Sequence, residues 1–336
     1  RILNGIGVTN MDIMKRTLGK SGIEVSPMGL GCWAIGGPFK MFGKPDGWGD
    51  IDDRESIRAI HAAMNLGINF FDTADAYGTG HSEEVLGKAF NGMRDKVVIA
   101  TKGGFVYDST RKELTGEDTS PAYFRIALEA SLKRLQTDYI DLYQIHNWGV
   151  PKEHMDSLFE EMERFVAEGK IRAYGWSTGD IDNARYFAEY TGGASIQHPS
   201  NLFAHDPGID ALCEEYGLAN INNAPLAMGL LSGKFNADSK LPSDDVRGAD
   251  HNWVSYFHDG RPVPDMLKKL DAIKEILKSD GRSLVQGALA WLWAKSPRNI
   301  PIPGFKNAAQ AEENAKAIAY GPLTKEQMDR IDSLLH

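Results

Sequence analysis

The chain has 336 residues, of which 42% are apolar and 25% charged, a composition typical of a globular protein and not of a disordered, collagen-like or coiled-coil chain. Its 37 Lys and Arg residues against 46 Asp and Glu residues give a net charge of −9, which disfavours nucleic acid and anionic membranes as partners. No apolar run approaches the roughly 20 residues that span a bilayer. With only Cys32 and Cys213 there is no disulfide framework, and we expect a reducing, cytoplasmic compartment.

The predicted elements alternate between strands and helices along almost the whole chain. A hairpin over 15–18 and 23–26 comes first, joined at Ser21-Gly22. Apolar runs then predict strands at 28–31, 68–71, 97–101, 139–145, 171–176, 195–197, 218–221 and 300–303. Helical spacing of apolar residues predicts helices around 57–64, 120–135, 155–165, 184–188, 209–216, 266–277, 284–292, 308–318 and 324–335. Ser120 and Pro121 give the second helix of this series a typical N-cap and first-turn proline.

Repeated strand-then-helix units of this number predict an α/β protein whose parallel sheet closes into a (β/α)8 TIM barrel. We expect a short N-terminal β-hairpin and long loops at the C-terminal mouth. Residues 14–336 would form this single domain, and residues 1–13 would be an N-terminal extension or a remnant of cloning. The last strand is the least typical, because Pro301 and Pro303 cannot donate ladder hydrogen bonds. The irregular stretch 236–263 is either a lid or a loop anchored by its own aromatic residues.

Polar side chains follow the predicted strands at their carboxyl ends, where a packed core would not need them. Asp72 ends the second strand and Tyr77 follows it closely, Lys102 ends the third strand, and His146 ends the fourth. In a (β/α)8 barrel these ends meet at one mouth, where active sites lie. Each residue alone is compatible with a satisfied loop position, but the four on consecutive strands indicate a catalytic group.

This combination of residues suits protonation of a carbonyl oxygen. A tyrosine hydroxyl has a pKa of about 10, and a neighbouring lysine ammonium is expected to lower that pKa by stabilising the phenolate. A buried aspartate would keep the lysine charged, and a histidine would donate a hydrogen bond to the substrate oxygen. No spacing of His, Asp or Glu resembles a helical metal site, so we expect no metal and a reducing equivalent from a cofactor.

Two other motifs point to different functions. The stretch GLGCWA at 29–34 matches a dinucleotide-binding fingerprint, but the residues that follow it cannot open the helix that this fingerprint needs. The stretch GWSTG at 175–179 matches the nucleophile elbow of hydrolases, with Ser177 as nucleophile and histidines downstream. The hydrolase remains an alternative, although a polar residue at the barrel mouth explains Ser177 without nucleophilic chemistry.

At these residues the chain resembles the aldo-keto reductase superfamily, and most of all the branch with the potassium-channel β subunits and bacterial reductases. FFDTADAYG at 70–78 resembles the family's strand-2 signature, ATKGG at 100–104 its lysine motif, and DLYQIHNW at 141–148 its histidine motif. The resemblance implies a catalytic tetrad of Asp72, Tyr77, Lys102 and His146, with Tyr77 as general acid. It also implies reduction of a small-molecule carbonyl substrate (an aldehyde, ketone or sugar) by hydride transfer from a nicotinamide.

Further motifs resemble the parts of the family that bind a nicotinamide dinucleotide in extended form: GWST at 175–178, PLAMGLLSGK at 225–234 and IPGFKNAAQAEEN at 302–314. The cofactor-binding residues implied by the resemblance are Cys32, Trp33, Asp72, Ser177, Thr178, Gln197, Pro225, Leu226, Ala227, Gly229, Leu230, Ser232, Lys234, Arg247, Gly304, Lys306, Gln310, Glu313 and Asn314. The cation at Lys306 favours NADPH over NADH, because it would pair with the 2′-phosphate, and NADH remains the alternative.

The chain departs from the family pattern at three places around the expected nicotinamide. Thr178 stands where the family usually has Asn, and Asn223-Ala224 stands where an aromatic residue and Ser usually precede Pro-Leu. The run HPS at 198–200 is the third departure. These differences concern the packing of the nicotinamide and leave the tetrad intact.

Aromatic residues near the mouth predict how the substrate is held. We expect Trp33, Trp148, Tyr256 and Phe257 to line the substrate pocket. A second hypothesis is a redox-sensing module that holds NADP(H) with little turnover, as the likeness to the channel subunits suggests. His146 disfavours this hypothesis, because that branch carries an amide at the corresponding position.

Overall fold

The computed structural model describes residues 3–4 and 8–335, and eight parallel strands form its centre. In chain order they are β1 (Leu30–Gly31), β2 (Phe70–Asp72), β3 (Val98–Gly103), β4 (Ile140–Ile145), β5 (Ile171–Ser177), β6 (Ser195–Pro199), β7 (Ala219–Asn223) and β8 (Asn299–Pro301). Each strand pairs in parallel with the next. The amides of Gly29 and Gly31 donate to the carbonyls of Pro301 and Pro303 at 3.0 and 2.9 Å, which closes the sheet. The predicted (β/α)8 TIM barrel is confirmed.

Helices surround this barrel. They are α1 (Asp53–Asn65), α2 (His81–Ala89), α3 (Pro121–Leu135), α4 (Lys152–Ala167), α5 (Ile181–Tyr190), α6 (Pro207–Tyr216), α7 (Pro264–Leu277), α8 (Leu284–Lys295), α9 (Ala308–Lys316) and α10 (Lys325–Leu335). Only α2 has no counterpart among the predicted helices. The side chain of Ser120 accepts from the amide of Tyr123 and so caps α3 as expected. Within the described residues, none of the helices has the length and apolarity needed to cross a membrane.

A small apolar cluster fills the barrel itself and includes Phe70, Leu142 and Ile221. The predicted N-terminal hairpin is present, with Arg16–Thr17 antiparallel to Glu24–Val25, and its Leu18 and Ile23 belong to the same cluster. This hairpin covers the amino-terminal end of the barrel with apolar side chains. The polar side chains that follow the strands lie at the opposite end. That end is the mouth at which the catalytic group was expected.

The proposed N-terminal extension lies only partly within the described residues, since residues 1–2 and 5–7 are outside them. Leu3–Asn4 pairs with Val8–Thr9, and one helical turn covers Asn10–Ile13. The side-chain amide of Asn10 donates to the carbonyl of Ala319 at 2.8 Å, which joins this segment to the barrel. Its assignment as an extension remains a prediction.

Two structures lie at the mouth: a small sheet whose strands are far apart in sequence, and one long loop. A four-stranded sheet combines Phe105–Asp108, Glu113–Glu117, Lys40–Met41 and Lys44–Pro45. The irregular stretch 236–263, here called the mouth loop, contains the turn Val246–Gly248 and the paired segments Phe257–His258 and Arg261–Pro262. The mouth loop docks on the segment that follows β1, where the amide of Val246 donates to the carbonyl of Gly47 at 2.8 Å.

The prolines of the last strand lie at the seam between β8 and β1. Pro301 and Pro303 contribute their carbonyls to this seam, and the amide of Ile302 faces the other way and donates to Asn222. At the start of the seam the carbonyl of Pro27 accepts instead from the indole of Trp293 at 3.0 Å. Both prolines have their nitrogen on the side that faces β1, so the missing N–H groups cost hydrogen bonds to β1 only. The strand therefore forms despite its prolines.

Four polar side chains, here called the amide ladder, lie buried behind β6, β7 and β8. They are His198, Asn220, Asn222 and Asn299. Asn220 Oδ1 lies 2.9 Å from His198 Nε2. Asn222 Nδ2 donates both to Asn220 Oδ1 and to Asn299 Oδ1, at 3.3 Å each. Asn220 donates in turn to Asp210 on α6 at 2.8 Å, so His198 faces the helices outside the barrel. This corrects the expectation that His198 lies around the nicotinamide.

The seam generates a test of stability. A Cβ on Gly31 would lie 2.7 Å from the carbonyl oxygen of Ile302, so Gly31→Ala must push β1 away from β8. We expect the free energy of unfolding in urea to fall by about 1–3 kcal/mol. Gly116→Ala is the matched control, because a Cβ there meets its nearest atom only at 4.0 Å. Equal stability of the two variants would contradict this account of the seam.

Candidate functional site

The ammonium of Lys102, on β3, lies at the centre of the barrel mouth and is completely buried. It donates to Asp72 Oδ1 at 2.6 Å, to the carbonyl of Thr73 at 2.9 Å and to Tyr77 Oη at 3.0 Å. An ammonium has three donors, so all of them are used. The hydroxyl of Tyr77 thus receives one directed, charge-assisted hydrogen bond.

The second oxygen of Asp72 is held by two amides. Gln144 Nε2 donates to Asp72 Oδ2 at 3.0 Å, and Gln197 Nε2 donates to the same oxygen at 2.8 Å. Gln197, expected at the cofactor, is therefore part of the network around Asp72. Gln144 was not predicted, although its place on β4, two residues before His146, puts both on the inward face.

Burial sets the acidity of Tyr77. Burial raises the pKa of the Tyr77 hydroxyl, and the neighbouring Lys102 lowers that pKa by less, so the net direction is upward. Lys102 thus acts on the pKa of Tyr77 in the expected direction, but burial, which the sequence did not reveal, outweighs its effect. Burial lowers the pKa of Lys102, but Asp72 and Tyr77 raise it by more, so the ammonium stays charged. Tyr77 is consequently a neutral donor beside a fixed cation.

His146 lies edge-on to Tyr77 at the mouth. The ring centroids are 5.8 Å apart at an interplanar angle of 88°, and Phe105 packs edge-on against the other side at 5.0 Å. Burial, and then the charge of Lys102, hold the pKa of His146 well below its usual value. The imidazole is therefore neutral, and its buried Nδ1 has no hydrogen-bond partner within the described chain. Such a ring suits a hydrogen bond to a bound molecule.

Indole rings form the wall above Tyr77. Trp33 stacks on Tyr77 with centroids 6.0 Å apart at 21°. Trp48 and Trp253 lie 5.2 and 6.1 Å from Trp33, and neither was predicted at the site. Trp148 is 56% exposed. Among the expected pocket residues, Trp33 is thus the one that stacks on Tyr77.

Tyr256 and Phe257 lie at the base of the mouth loop, where both are buried. Tyr256 Oη accepts from Asn201 Nδ2 at 2.7 Å, and Phe257 packs edge-on against Phe235 at 5.2 Å. These contacts anchor the loop, as the alternative interpretation of the stretch 236–263 suggested.

Two predicted cofactor residues contact Trp48, and a third lies beside one of them. Arg247 lies with its guanidinium 4.5 Å from the Trp48 ring and donates twice to Asp245, at 2.8 and 2.7 Å. Lys306 Nζ donates to the carbonyl of Trp48 at 2.8 Å. A Cβ on Gly229 would lie 3.3 Å from Arg247 Nη1, so the loop after β7 passes close to the guanidinium. Two cations beside a glycine-containing loop fit the phosphates of a dinucleotide.

Other predicted cofactor residues hold the loop after β8 in place. Gln310 Oε1 accepts from the amide of Lys306 at 2.8 Å, and Asn314 Nδ2 donates to the carbonyl of Gly304 at 3.1 Å. The carbonyl of Glu313 accepts from Gln286 on α8 at 3.1 Å. These contacts shape the segment that presents Lys306.

The remaining predicted cofactor residues lie at the ends of β1, β5 and β7. Thr178 Oγ1 donates to the carbonyl of Trp148 at 2.7 Å, and Ser232 Oγ donates to the carbonyl of Gly229 at 2.6 Å. Ser177 is partly exposed at the end of β5 and has no hydrogen bond to a histidine within the described chain, as a hydrolase nucleophile would need. The rest, also near these strand ends, are Cys32, Pro225, Leu226, Ala227, Leu230 and Lys234.

Comparison with known proteins connects this geometry to one family. Residues 27–336 match the aldo/keto reductase family. The aldo-keto reductase YhdN of Bacillus subtilis is 32% identical over 318 residues, covering 93% of this chain and 91% of that protein. The glycerol dehydrogenase AKR11B4 of Gluconobacter oxydans superposes with a TM-score of 0.80 at 32% identity, over 96% of this chain and 94% of that one. An aldo-keto reductase from Klebsiella pneumoniae, solved with NADPH, gives a TM-score of 0.67 at 26% identity, over 96% and 95%.

The neutral His146 makes stability depend on pH. Its pKa is lowered in the folded protein from 6.5, so below about pH 6.5 the unfolded chain binds more protons and the folded state loses stability. We expect urea unfolding at pH 5.5 to require about 1 kcal/mol less than at pH 7.5 on account of this group. His146→Asn should remove that part of the difference, whereas the exposed His258→Asn should retain it. An unchanged pH dependence in His146→Asn would contradict a neutral, buried imidazole.

Proposed function

The chain belongs to the aldo/keto reductase family, and we propose that it reduces aldehydes, ketones or sugar carbonyls with NADPH. The observation that carries this proposal is the hydrogen bond from buried Lys102 to Tyr77 Oη at 3.0 Å, with the neutral His146 ring edge-on to the Tyr77 ring. Tyr77 as proton donor, Lys102 as fixed cation and His146 as neutral hydrogen-bond donor thus lie together at the barrel mouth. This arrangement suits a carbonyl oxygen on which negative charge develops.

Each side chain has one task in this reaction. The nicotinamide, when bound, supplies the hydride. His146 donates a hydrogen bond that orients the carbonyl oxygen toward Tyr77, and Tyr77 donates its hydroxyl proton to that oxygen. Lys102 then stabilises the phenolate at 3.0 Å, and Asp72 keeps the ammonium in place. The stabilisation grows as the proton leaves, so it lowers the energy of the transition state more than that of the bound substrate.

The proposed cofactor site extends from the tetrad toward Trp48. Ser177, at the end of β5, would contact the carboxamide, and Arg247 and Lys306 would contact phosphates. Lys306 favours NADPH, because a lysine beside the 2′-phosphate distinguishes the two cofactors by charge. The NADPH complex of the Klebsiella pneumoniae protein supports this choice.

Removing the hydroxyl of Tyr77 tests the reaction. Tyr77→Phe should lower kcat for an aldehyde at least about 100-fold, because a general acid contributes that much or more. The Kd for NADPH from fluorescence titration should change little, and Tyr190→Phe, at an exposed position, serves as control. Loss of both binding and turnover would show that Tyr77 is structural. Tight NADPH binding by the unaltered protein without turnover on any carbonyl would favour the redox-sensing module instead.

The cofactor preference is tested at Lys306. Lys306→Gln should lower the ratio of kcat/KM for NADPH to that for NADH by about tenfold, since one charge-assisted hydrogen bond to phosphate is lost. The kcat/KM with NADH should stay within about twofold, because NADH offers no phosphate there. An unchanged ratio would place the 2′-phosphate elsewhere or leave NADH as the cofactor.

A further inference from the structure

Asp46 is a buried carboxyl next to the tetrad that the proposed reaction does not use. Its side chain is 6% exposed, and its Oδ1 has no hydrogen-bond partner within the described chain. The side chain of His251 lies beside it, with Nε2 3.4 Å from Oδ1, but this nitrogen is already 2.8 Å from the carbonyl of Pro45. A buried carboxyl oxygen without a hydrogen-bond partner costs stability, so we expect a bound molecule to supply the missing hydrogen bond.

Asp46 lies next to the indole wall above Tyr77. The carbonyl of Asp46 accepts from Trp33 Nε1 at 2.9 Å, and the Trp33 ring stacks on Tyr77. Burial chiefly raises the pKa of Tyr77, and Asp46 adds to that effect once it is ionised, so the two side chains lie within electrostatic reach. Trp253, 45% exposed, lies beside both Trp33 and His251.

The chemistry of this corner suits a hydroxylated molecule. Burial raises the pKa of Asp46 to about 8, so at neutral pH the carboxyl is largely protonated and can donate and accept at once. A short chain of CH–OH groups fits such a corner. Its C–H groups can pack on the indole faces, while a hydroxyl both donates a hydrogen bond to the carboxyl and accepts one from it.

We propose that Asp46 is a specificity-determining residue that binds a hydroxyl group of the substrate near its reacting carbonyl, which makes polyhydroxylated aldehydes and ketones the preferred substrate class. This inference rests on the proposed carbonyl reduction and adds the substrate class to it. A site that offers a buried hydrogen-bonding group discriminates against analogues without the matching hydroxyl, because the group is then left unpaired.

A purely structural role for the carboxyl is less consistent with its contacts. The mouth loop is joined to the segment 44–49 through main-chain carbonyls, from Lys44 Nζ to Asp250 at 2.7 Å and from Val246 N to Gly47 at 2.8 Å. The carboxyl of Asp46 takes no part in these bonds, and its contact with the loop is the one to His251 Nε2 at 3.4 Å. Because main-chain carbonyls already join the loop to this segment, docking does not require a carboxyl at position 46, whereas substrate binding would use it.

The test compares glyceraldehyde with propanal, two aldehydes of equal chain length that differ in their hydroxyl groups. The unaltered protein should prefer glyceraldehyde in kcat/KM. Asp46→Ala should raise KM for glyceraldehyde about tenfold and leave propanal reduction and NADPH binding within about twofold. Asp46→Asn, which still donates and accepts, should retain most of the preference. Asp50→Ala, at an exposed position of the same segment, is the control.

The outcomes separate this inference from the proposed function. A loss confined to glyceraldehyde and rescued in Asp46→Asn supports Asp46 as the hydroxyl-binding residue. Equal losses on both aldehydes, or no change in either, would overturn the inference while carbonyl reduction itself stands. If the unaltered protein reduced neither aldehyde, nor any other carbonyl, the proposed function would fall and this inference with it.

Discussion

The ion pair between Lys102 and Asp72 is the constraint on which the rest of the mouth depends. A fully buried ammonium is tolerated only when every donor is satisfied, and removal of one partner of such a pair costs about 3–5 kcal/mol. Four strands supply what the pair needs: β2 brings Asp72, β3 brings Lys102, β4 brings Gln144 and β6 brings Gln197. Register places Lys102 directly beside Gln144. The cation can therefore hold its position only while the barrel is closed around it.

Burial then assigns the protonation states of the side chains around this cation. Tyr77 keeps its proton and His146 stays neutral, because both would have to carry charge in a poorly solvated place. In the proposed reaction, Lys102 stabilises the phenolate once Tyr77 gives up its proton, and this happens only when a substrate oxygen is present to accept it.

The parts of this molecule that sequence predicts well are those with a regular period or a local motif. The hairpin, the eight strands, the cap at Ser120 and the convergence of Asp72, Tyr77, Lys102 and His146 at one mouth follow from alternation, spacing and motif. The catalytic roles of these four residues stay predictions. The mouth sheet does not, because Lys40–Met41 is too short for a periodic signal and its partner Glu113–Glu117 lies far along the chain. Gln144 was missed because its role appears only when its neighbours on β3 and β6 are known. The direction of the Tyr77 pKa depended on degree of burial, which no local pattern specifies.

The amide ladder behind β6, β7 and β8 has a consequence for how the barrel chooses its alignment. Alternation of apolar and polar residues penalises a slip of one residue, since every side chain would change face, but it barely distinguishes a slip of two. With His198 opposite Asn222 and Asn220 opposite Asn299, a slip of two residues in one direction would place His198 opposite Ala224 and Asn220 opposite Pro301, and would leave buried amides without partners. A slip of two residues in the other direction would still set polar groups opposite one another. The ladder thus opposes one direction of change in the shear of the barrel, the offset that sets its diameter and the tilt of its strands.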